Sequence, residues 1–407
     1  MAIRGVYSED EKKMLAEWKK LIDKGGYWLA DNITPETPYN QNMRVITKEV
    51  IASWAGNSGD HNPLFWDENY AQSTRWGGII APPFFLTAIC HVGRPKQELI
   101  VPPSVGERSE ILGGNKWQLF KPVHPGDVLR VWAGQYPIVD RTRADGRGLH
   151  MFDHTGVFKF YNQKDELVAQ ITGTLFIMVR PPEQKAEQEK VASFPGFTDY
   201  KYTEKELEAI AGMHDAEVRR GKNPRFWEDV NVGDELQPVA QGPITLWDSL
   251  VSNIGHVFVT SSVVHHTWEY GKKNPGFPVS DIATRFVKDP ETNVSYFQCE
   301  HHHQDHVAHL LGKPMAFLYH AEFEHTSSRL INNWMGDDGW ITSYEGRDAM
   351  IVPQRDTLFG RGKVVKKYIE DGEHLIDIGV GVEDIRGFTG HHAAVTVKLL
   401  SREQTKI

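Results

Sequence analysis

Two cysteines, Cys90 and Cys299, are too few for a disulfide framework in a chain of 407 residues, and they match no zinc-binding spacing. No apolar run approaches the length that a membrane span requires. The opening Met1-Ala2-Ile3-Arg4-Gly5 has no apolar signal core, so the expectation is a reduced, cytoplasmic protein. Positive charge is scarce as well. Lys and Arg number 45 against 54 Asp and Glu, a net charge of −9 that argues against nucleic acid or an anionic membrane as partner. Also absent is the regular βαβ alternation that would signal a parallel sheet.

What remains is an ordinary globular composition, 40% hydrophobic and 24% charged, in a chain long enough for two domains and a substantial core. Twelve Trp and nineteen His are more unusual. Aromatics suit a pocket lining, and equally a core or an oligomer interface.

Ser8 to Lys24 places Met14, Leu15, Trp18 and Leu21 at helical spacing, with Ser8 as N-cap and Gly25-Gly26 as the stop. Tyr27 to Arg44 reads as connector and Thr47 to Gly56 as a short helix. Strands follow: Lys116 to Pro122, Val128 to Ile138, His150 to Asn162 and Glu166 to Met178, rich in β-branched and aromatic residues and separated by Gly/Asp turns. From Arg180 to Lys222 the chain becomes charged and breaker-rich, with one solvent-facing helix over Thr203 to Arg220, as expected of a linker. The second half then repeats the first at low identity. Pro125-Gly126-Asp127-Val128-Leu129 corresponds to Gln354-Arg355-Asp356-Thr357-Leu358, and strands are expected over Gly362 to Tyr368, Glu373 to Glu383 and Ala393 to Leu400. The class is α+β, with boundaries expected at 1–180, a linker at 181–225, and 226–407.

The stretch Ser58-Gly59-Asp60-His61-Asn62-Pro63-Leu64-Phe65-Trp66-Asp67 gathers turn formers around a carboxylate, an imidazole and a carboxamide, a combination that suits a polar site better than a core. It resembles the overhanging-loop motif S-G-D-x-N-P-[LI]-H-x-D of the MaoC-like hydratases and dehydratases, which act on acyl-CoA thioesters. The resemblance extends through Ala81-Pro82-Pro83, Trp227 to Leu236, Gly242 to Thr245 and Asn333 to Trp340, nearly the whole chain. It implies a double hotdog, two antiparallel sheets each wrapped around a central helix, the first helix beginning at Phe84 to His91.

In that family an Asp and a His act together on the water that adds to, or leaves, the acyl Cα=Cβ bond. Here Asp60 holds the Asp position, but the motif His falls on Phe65. In the second half the corresponding segment is Gln298 to Ala308. Counting back from Ala308 puts the catalytic His on His302; a slip of one gives His303 and Asp305 the H-x-D positions. The partner Asp becomes Phe297 or Gln298, neither of which is a base. Each half therefore departs from the usual pair.

Three readings follow. A rearranged hydratase would use His302 or His303 as general acid/base, with Glu300 or Asp305 orienting the imidazole and helix N-terminal amides polarising the thioester. A metal-dependent lyase or hydrolase would bind its ion through His301, His302, His303 and His306, completed by His265-His266, His320 or His325. A non-catalytic partner subunit would use the cluster structurally. The first reading places Asp60, His61, His302, His303 and Asp305 in catalysis, and Asn62, Phe65, Trp66, Trp76, Phe84 and His320 against substrate. It needs no cofactor or metal beyond CoA as part of the substrate. Trp54, Trp66, Trp76, Phe84 and Phe85 favour a bulky or aromatic acyl group. The resemblance also implies a homodimer or higher oligomer. His265-His266 and His391-His392 are read as surface or interface pairs, and Asp127 and Asp356 as turn closers.

Overall fold

The structure is a computed structural model that describes residues 5–28, 45–89, 99, 101, 102, 104–143, 149–180, 198–254, 286–311 and 313–403. The connector over 29–44, the linker core over 181–197, Cys90, His91 and the pair His265-His266 lie outside the described residues.

The strands are β1 (Tyr27–Trp28), β2 (Glu107–Leu119), β3 (Arg130–Gln135), β4 (Val139–Asp140), β5 (His150–Tyr161), β6 (Leu167–Arg180), β7 (Val239–Gln241), β8 (Phe286–Lys288), β9 (Ser295–Phe297), β10 (Trp340–Asp348), β11 (Leu358–Glu370), β12 (Glu373–Asp384) and β13 (Thr389–Lys398). The helices are α1 (Glu9–Asp23), α2 (Lys48–Asn57), α3 (Glu68–Gln72), α4 (Glu204–Ala216), α5 (Leu246–Ile254), α6 (Asp305–Leu310) and α7 (His320–Met335).

One antiparallel sheet runs β1-β3-β5-β6-β2-β10-β13-β12-β11-β7, with β4 added beside β5. From the central β2–β10 pair outward the two halves mirror each other in strand sequence. The repeat anticipated around Asp127 and Asp356 has the same backbone in both copies. Gly126 (φ 92°) and Arg355 (φ 75°) both take the left-handed turn. Ile46 exchanges backbone hydrogen bonds with Asp127 and Gly126 as Ile244 does with Asp356 and Arg355. Pairing β2 with β10, from Ser343↔Gln118 to Arg347↔Gly114, covers one edge of each half and leaves a continuous sheet. One hydrophobic cluster runs through both halves, from Ile46 and Trp54 to Val397 and Leu399.

Helix α1 forms as its spacing predicts. Ser8 and Glu11 make a reciprocal capping box, and Met14, Leu15 and Trp18 are buried in a smaller cluster with Phe152 and Ile177. The expected start of the first-half central helix differs: Phe84 is left-handed (φ 66°) and, among the described residues, a short 3-10 turn follows over Phe85–Ala88. Phe84 is held there between Trp117 and Tyr344, at ring-centroid distances of 4.9 and 4.7 Å. Strand β2 begins nine residues before the expected Lys116, and the His-rich segment over 298–308 is a 3-10 turn leading into α6.

Helix α7 is the second-half central helix, and nearly all of it is buried, polar residues included. Its C-terminal end is gripped by the first-half motif loop. Asn62 Nδ2 donates to Asp337 Oδ1 (2.8 Å), the Tyr70 hydroxyl to Asp337 Oδ2 (2.6 Å) and Trp76 Nε1 to the Asp337 carbonyl (2.7 Å). Two of these bonds end on one carboxylate that joins the halves. Asp337→Ala leaves buried Asn62 Nδ2 unpaired, and the expected loss is about 2 kcal/mol of stability, read as a lower urea midpoint at unchanged m.

Candidate active site at the N-terminus of helix α7

Helix α7 starts at His320 after Tyr319, whose side chain provides no cap. His320 and Glu324, one turn apart, share a face and are both buried. Strands β2, β10 and β13 meet that face with polar residues instead of the usual aliphatics. Asn115 Nδ2 and Trp117 Nε1 donate to Glu324 Oε1 at 3.1 and 2.8 Å. His320 Nε2 lies 3.3 Å from the same oxygen, and Asn115 Nδ2 is 3.1 Å from His320 Nε2. On its other side His320 Nδ1 bonds Asp348 Oδ2 at 2.8 Å, and His391 Nδ1 bonds Asp348 Oδ1 at 2.8 Å. The Tyr344 hydroxyl closes the chain 2.6 Å from His391 Nε2.

These groups set one another's charge. Burial by itself would depress His320, but Asp348 and then Glu324 override it and raise the imidazole to about 10. Burial pushes Asp348 up, and the two imidazoles reverse this and hold it at about 2. His391 is lowered by burial against the opposing pull of Asp348. Buried ion pairs cost desolvation that plain aliphatic packing avoids, so a polar cluster at the centre of the sheet marks a site. Gly346 makes room for it. A Cβ there would stand 2.6 Å from the Tyr344 ring and 2.7 Å from that of His391.

His320 and Asp348 border a cavity of about 320 Å³ at the seam between the halves. Leu112, Leu175 and Phe176 wall it from the first half, and His301, His302, Phe317 and Tyr319 from the second. His302 Nδ1 lies 3.0 Å from the Phe317 carbonyl. A carbonyl only accepts, so Nδ1 carries the proton and Nε2 is the basic nitrogen. The His302 ring packs at a tilt on His301, 4.1 Å between centroids, and meets Tyr319 edge-on at 5.1 Å.

The structure thus brings together His302 and His320, with their neighbours, at one end of α7. The other residues singled out in the sequence lie elsewhere. His303 Nδ1 bonds Ser249 Oγ at 3.2 Å and burial lowers its pKa. Asp305 receives Arg355 at 3.0 Å and the Ala316 amide at 2.8 Å, and so does not orient His302. His306 Nε2 reaches Asp289 at 3.2 Å, so His303 and His306 turn to partners of their own while His301 and His302 pack against each other on Phe317.

Asp60 is buried at the other end of α7, roughly 20 Å away along the helix. It accepts from Asn332 Nδ2 (2.7 Å) and from the Asn62 amide (3.1 Å), and burial raises its pKa against both bonds. His61 is exposed, its carbonyl accepting from Trp66 Nε1 at 3.3 Å; Trp66 is half exposed. Asn62, Phe65 and Phe84 line a separate apolar cavity of about 50 Å³. Trp76 packs at a tilt against Trp340, with ring centroids 5.5 Å apart.

His391 corrects a sequence reading: it is fully buried in the cluster, while its neighbour His392 is exposed. Strand alternation turns the two residues to opposite faces. Asp348, Tyr344, Asn115 and Trp117 carried no local signal. They meet only through the strand register that sets Asp348 opposite His391 and Tyr344 opposite Trp117.

Residues 34–171 match the model of a family described as the FAS1-like dehydratase domain region. A UPF0336 protein of Streptomyces avermitilis is 30% identical over 99 residues, 24% of this chain and 61% of that relative, so the match spans less than two thirds of its length. A solved MaoC-like dehydratase superposes with a TM-score of 0.58 at 15% identity, covering 93% of this chain and 98% of its own. A putative MaoC domain protein dehydratase of Chloroflexus aurantiacus J-10-fl, 13% identical over 88% of this chain and 93% of its own, has a TM-score of 0.48 and adds no argument. The chain has the double-hotdog, MaoC-like fold, and residues 34–171 are similar to the FAS1-like dehydratase domain region.

Proposed function

We propose that this protein adds water to an enoyl-CoA, or removes it from a 3-hydroxyacyl-CoA, in the seam cavity beside His302. The observation that carries the reading is the placement of His302, with its tautomer fixed by the Phe317 carbonyl, in the same cavity as the uncapped start of α7. The dehydratase region matched over 34–171 supports the reaction class.

In the dehydration direction the thioester oxygen sits at the N-terminus of α7, where the helix dipole and the first-turn amides stabilise the negative charge that develops on it. His302 Nε2 takes the proton from Cα. The Cα=Cβ bond forms as the Cβ–O bond breaks, and the imidazolium returns that proton to the departing hydroxyl, which leaves as water. One imidazole thus serves as base and then acid, which removes the need for a second carboxylate in the loop. Leu112, Leu175, Phe176 and Phe323 give the cavity an apolar, partly aromatic wall suited to a bulky or aromatic acyl group.

Hydration of aliphatic and aryl enoyl-CoAs, followed by mass change, tests this reading. His302→Ala is expected to lower kcat by about 10²–10⁴ with the thermal midpoint preserved, and His303→Ala to change it little. Full turnover in His302→Ala would refute the assignment. Asp60→Ala is expected to act on stability, losing about 1–3 kcal/mol as buried Asn332 Nδ2 and the Asn62 amide lose their acceptor. Activity abolished in an Asp60→Ala protein of unchanged stability would move the chemistry to the first-half loop.

A further inference from the structure

We propose that His320, Asp348 and His391 form a binding site for one divalent transition-metal ion, with open coordination positions facing the seam cavity. The inner nitrogens of two imidazoles, one on α7 and one on β13, converge on a single carboxylate of β10. Their ligand atoms all lie within 4.8 Å of one another, and each Nδ1 is 2.8 Å from an Asp348 oxygen. Donors bound at about 2.0–2.2 Å to one ion stand about 3 Å apart when adjacent, so small side-chain rotations suffice. Two imidazoles and one carboxylate are the donor set that suits zinc, iron or manganese with vacant positions.

The outer nitrogens supply a second, independent observation. Metal-bound imidazoles donate their remaining N–H to a carboxylate or another oxygen that fixes the ring. His320 Nε2 faces Glu324 Oε1 at 3.3 Å, and His391 Nε2 faces the Tyr344 hydroxyl at 2.6 Å. Glu324 is itself held by Trp117 and Asn115. Both rings therefore have the support a ligating histidine takes. Charge points the same way. Asp348 and Glu324 bring two negative charges into the centre of the sheet, and a divalent ion neutralises them with both imidazoles neutral. The cavity reaches His320 and Asp348, so water or a ligand oxygen has access to the remaining positions. The donor set does not depend on the dehydratase reading, and its test requires no turnover.

The probe is Co²⁺, titrated into full-length protein first stripped with chelator and followed by its visible d–d absorption. Metal content of the purified protein is measured in parallel. Wild type is expected to take up one equivalent with a nitrogen-ligand spectrum and a raised thermal midpoint. Asp348→Asn and His391→Gln keep side-chain size and are expected to weaken binding by at least tenfold. His303→Ala and His306→Ala, on the His-rich segment, should titrate like wild type. Absence of uptake by wild type at millimolar Co²⁺ would overturn the site, leaving the cluster a proton-bonded network. Uptake unchanged in both Asp348→Asn and His391→Gln would overturn it as well. Should either variant lose its cooperative thermal transition, Tyr344→Phe provides the alternative. It removes only the hydroxyl behind His391, and an unaltered Co²⁺ affinity and spectrum there would count against the site.

Discussion

Burial of a polar helix is the constraint on which the rest of this structure depends. Helix α7 carries His320, Glu322, Glu324, His325, Thr326, Ser327, Ser328 and Asn332 into the interior, and each such group must find a partner or cost about 1–3 kcal/mol. No single sheet of one half supplies those partners. Asn115 and Trp117 come from the first half to Glu324, Asp60 comes to Asn332, and Gln241 reaches Glu322 and Thr326 from the second. The two halves are therefore bound by hydrogen bonds to the helix as well as by the β2–β10 seam and the shared core.

The two ends of α7 have opposite characters. At the C-terminal end the loop with the best-matched family motif is fully engaged in structure: Asn62 and Tyr70 hold Asp337, and Asp60 holds Asn332. At the N-terminal end the Tyr319 side chain makes no capping bond and the helix looks onto the larger cavity, with His302, His320 and Asp348 around it. In the proposed function this loop serves as a clamp and the chemistry lies at the other end of the helix. The Asp-x-Asn geometry that suits a reactive loop also suits a rigid clamp, because both require a turn held by side-chain to backbone bonds, as Asn62 Oδ1 holds the Leu64 amide.

How much was legible in the sequence follows from the range of each interaction. Helix α1, strands β3, β5 and β6 and the paired turns at Asp127 and Asp356 are set by local pattern and capping, and the sequence revealed them. The double hotdog followed from motif resemblance. The start of the first central helix did not appear as expected, because Phe84 is fixed by Trp117 and Tyr344, distant in the chain. Most of the candidate site was invisible for the same reason. His320 stood out as a candidate substrate contact. Asp348 and His391 come together only when β10 and β13 pair in one register, and a one-residue slip of either strand would turn its residue to the other face. The four clustered histidines drew attention by proximity in sequence, yet only His301 and His302 stay together, while His303 and His306 turn to Ser249 and Asp289.

The account turns on which end of α7 meets the substrate. A crystal structure with a bound 2-oxoalkyl thioether analogue of an acyl-CoA, which keeps the carbonyl oxygen and does not turn over, would decide it most directly. The prediction is an acyl group between Leu112, Phe176 and His302, with the oxygen of the acyl group at the first amides of α7. An acyl group lodged instead beside Asp60 and Asn62, in an enlarged version of the smaller cavity, would contradict the account and return catalysis to the first-half loop.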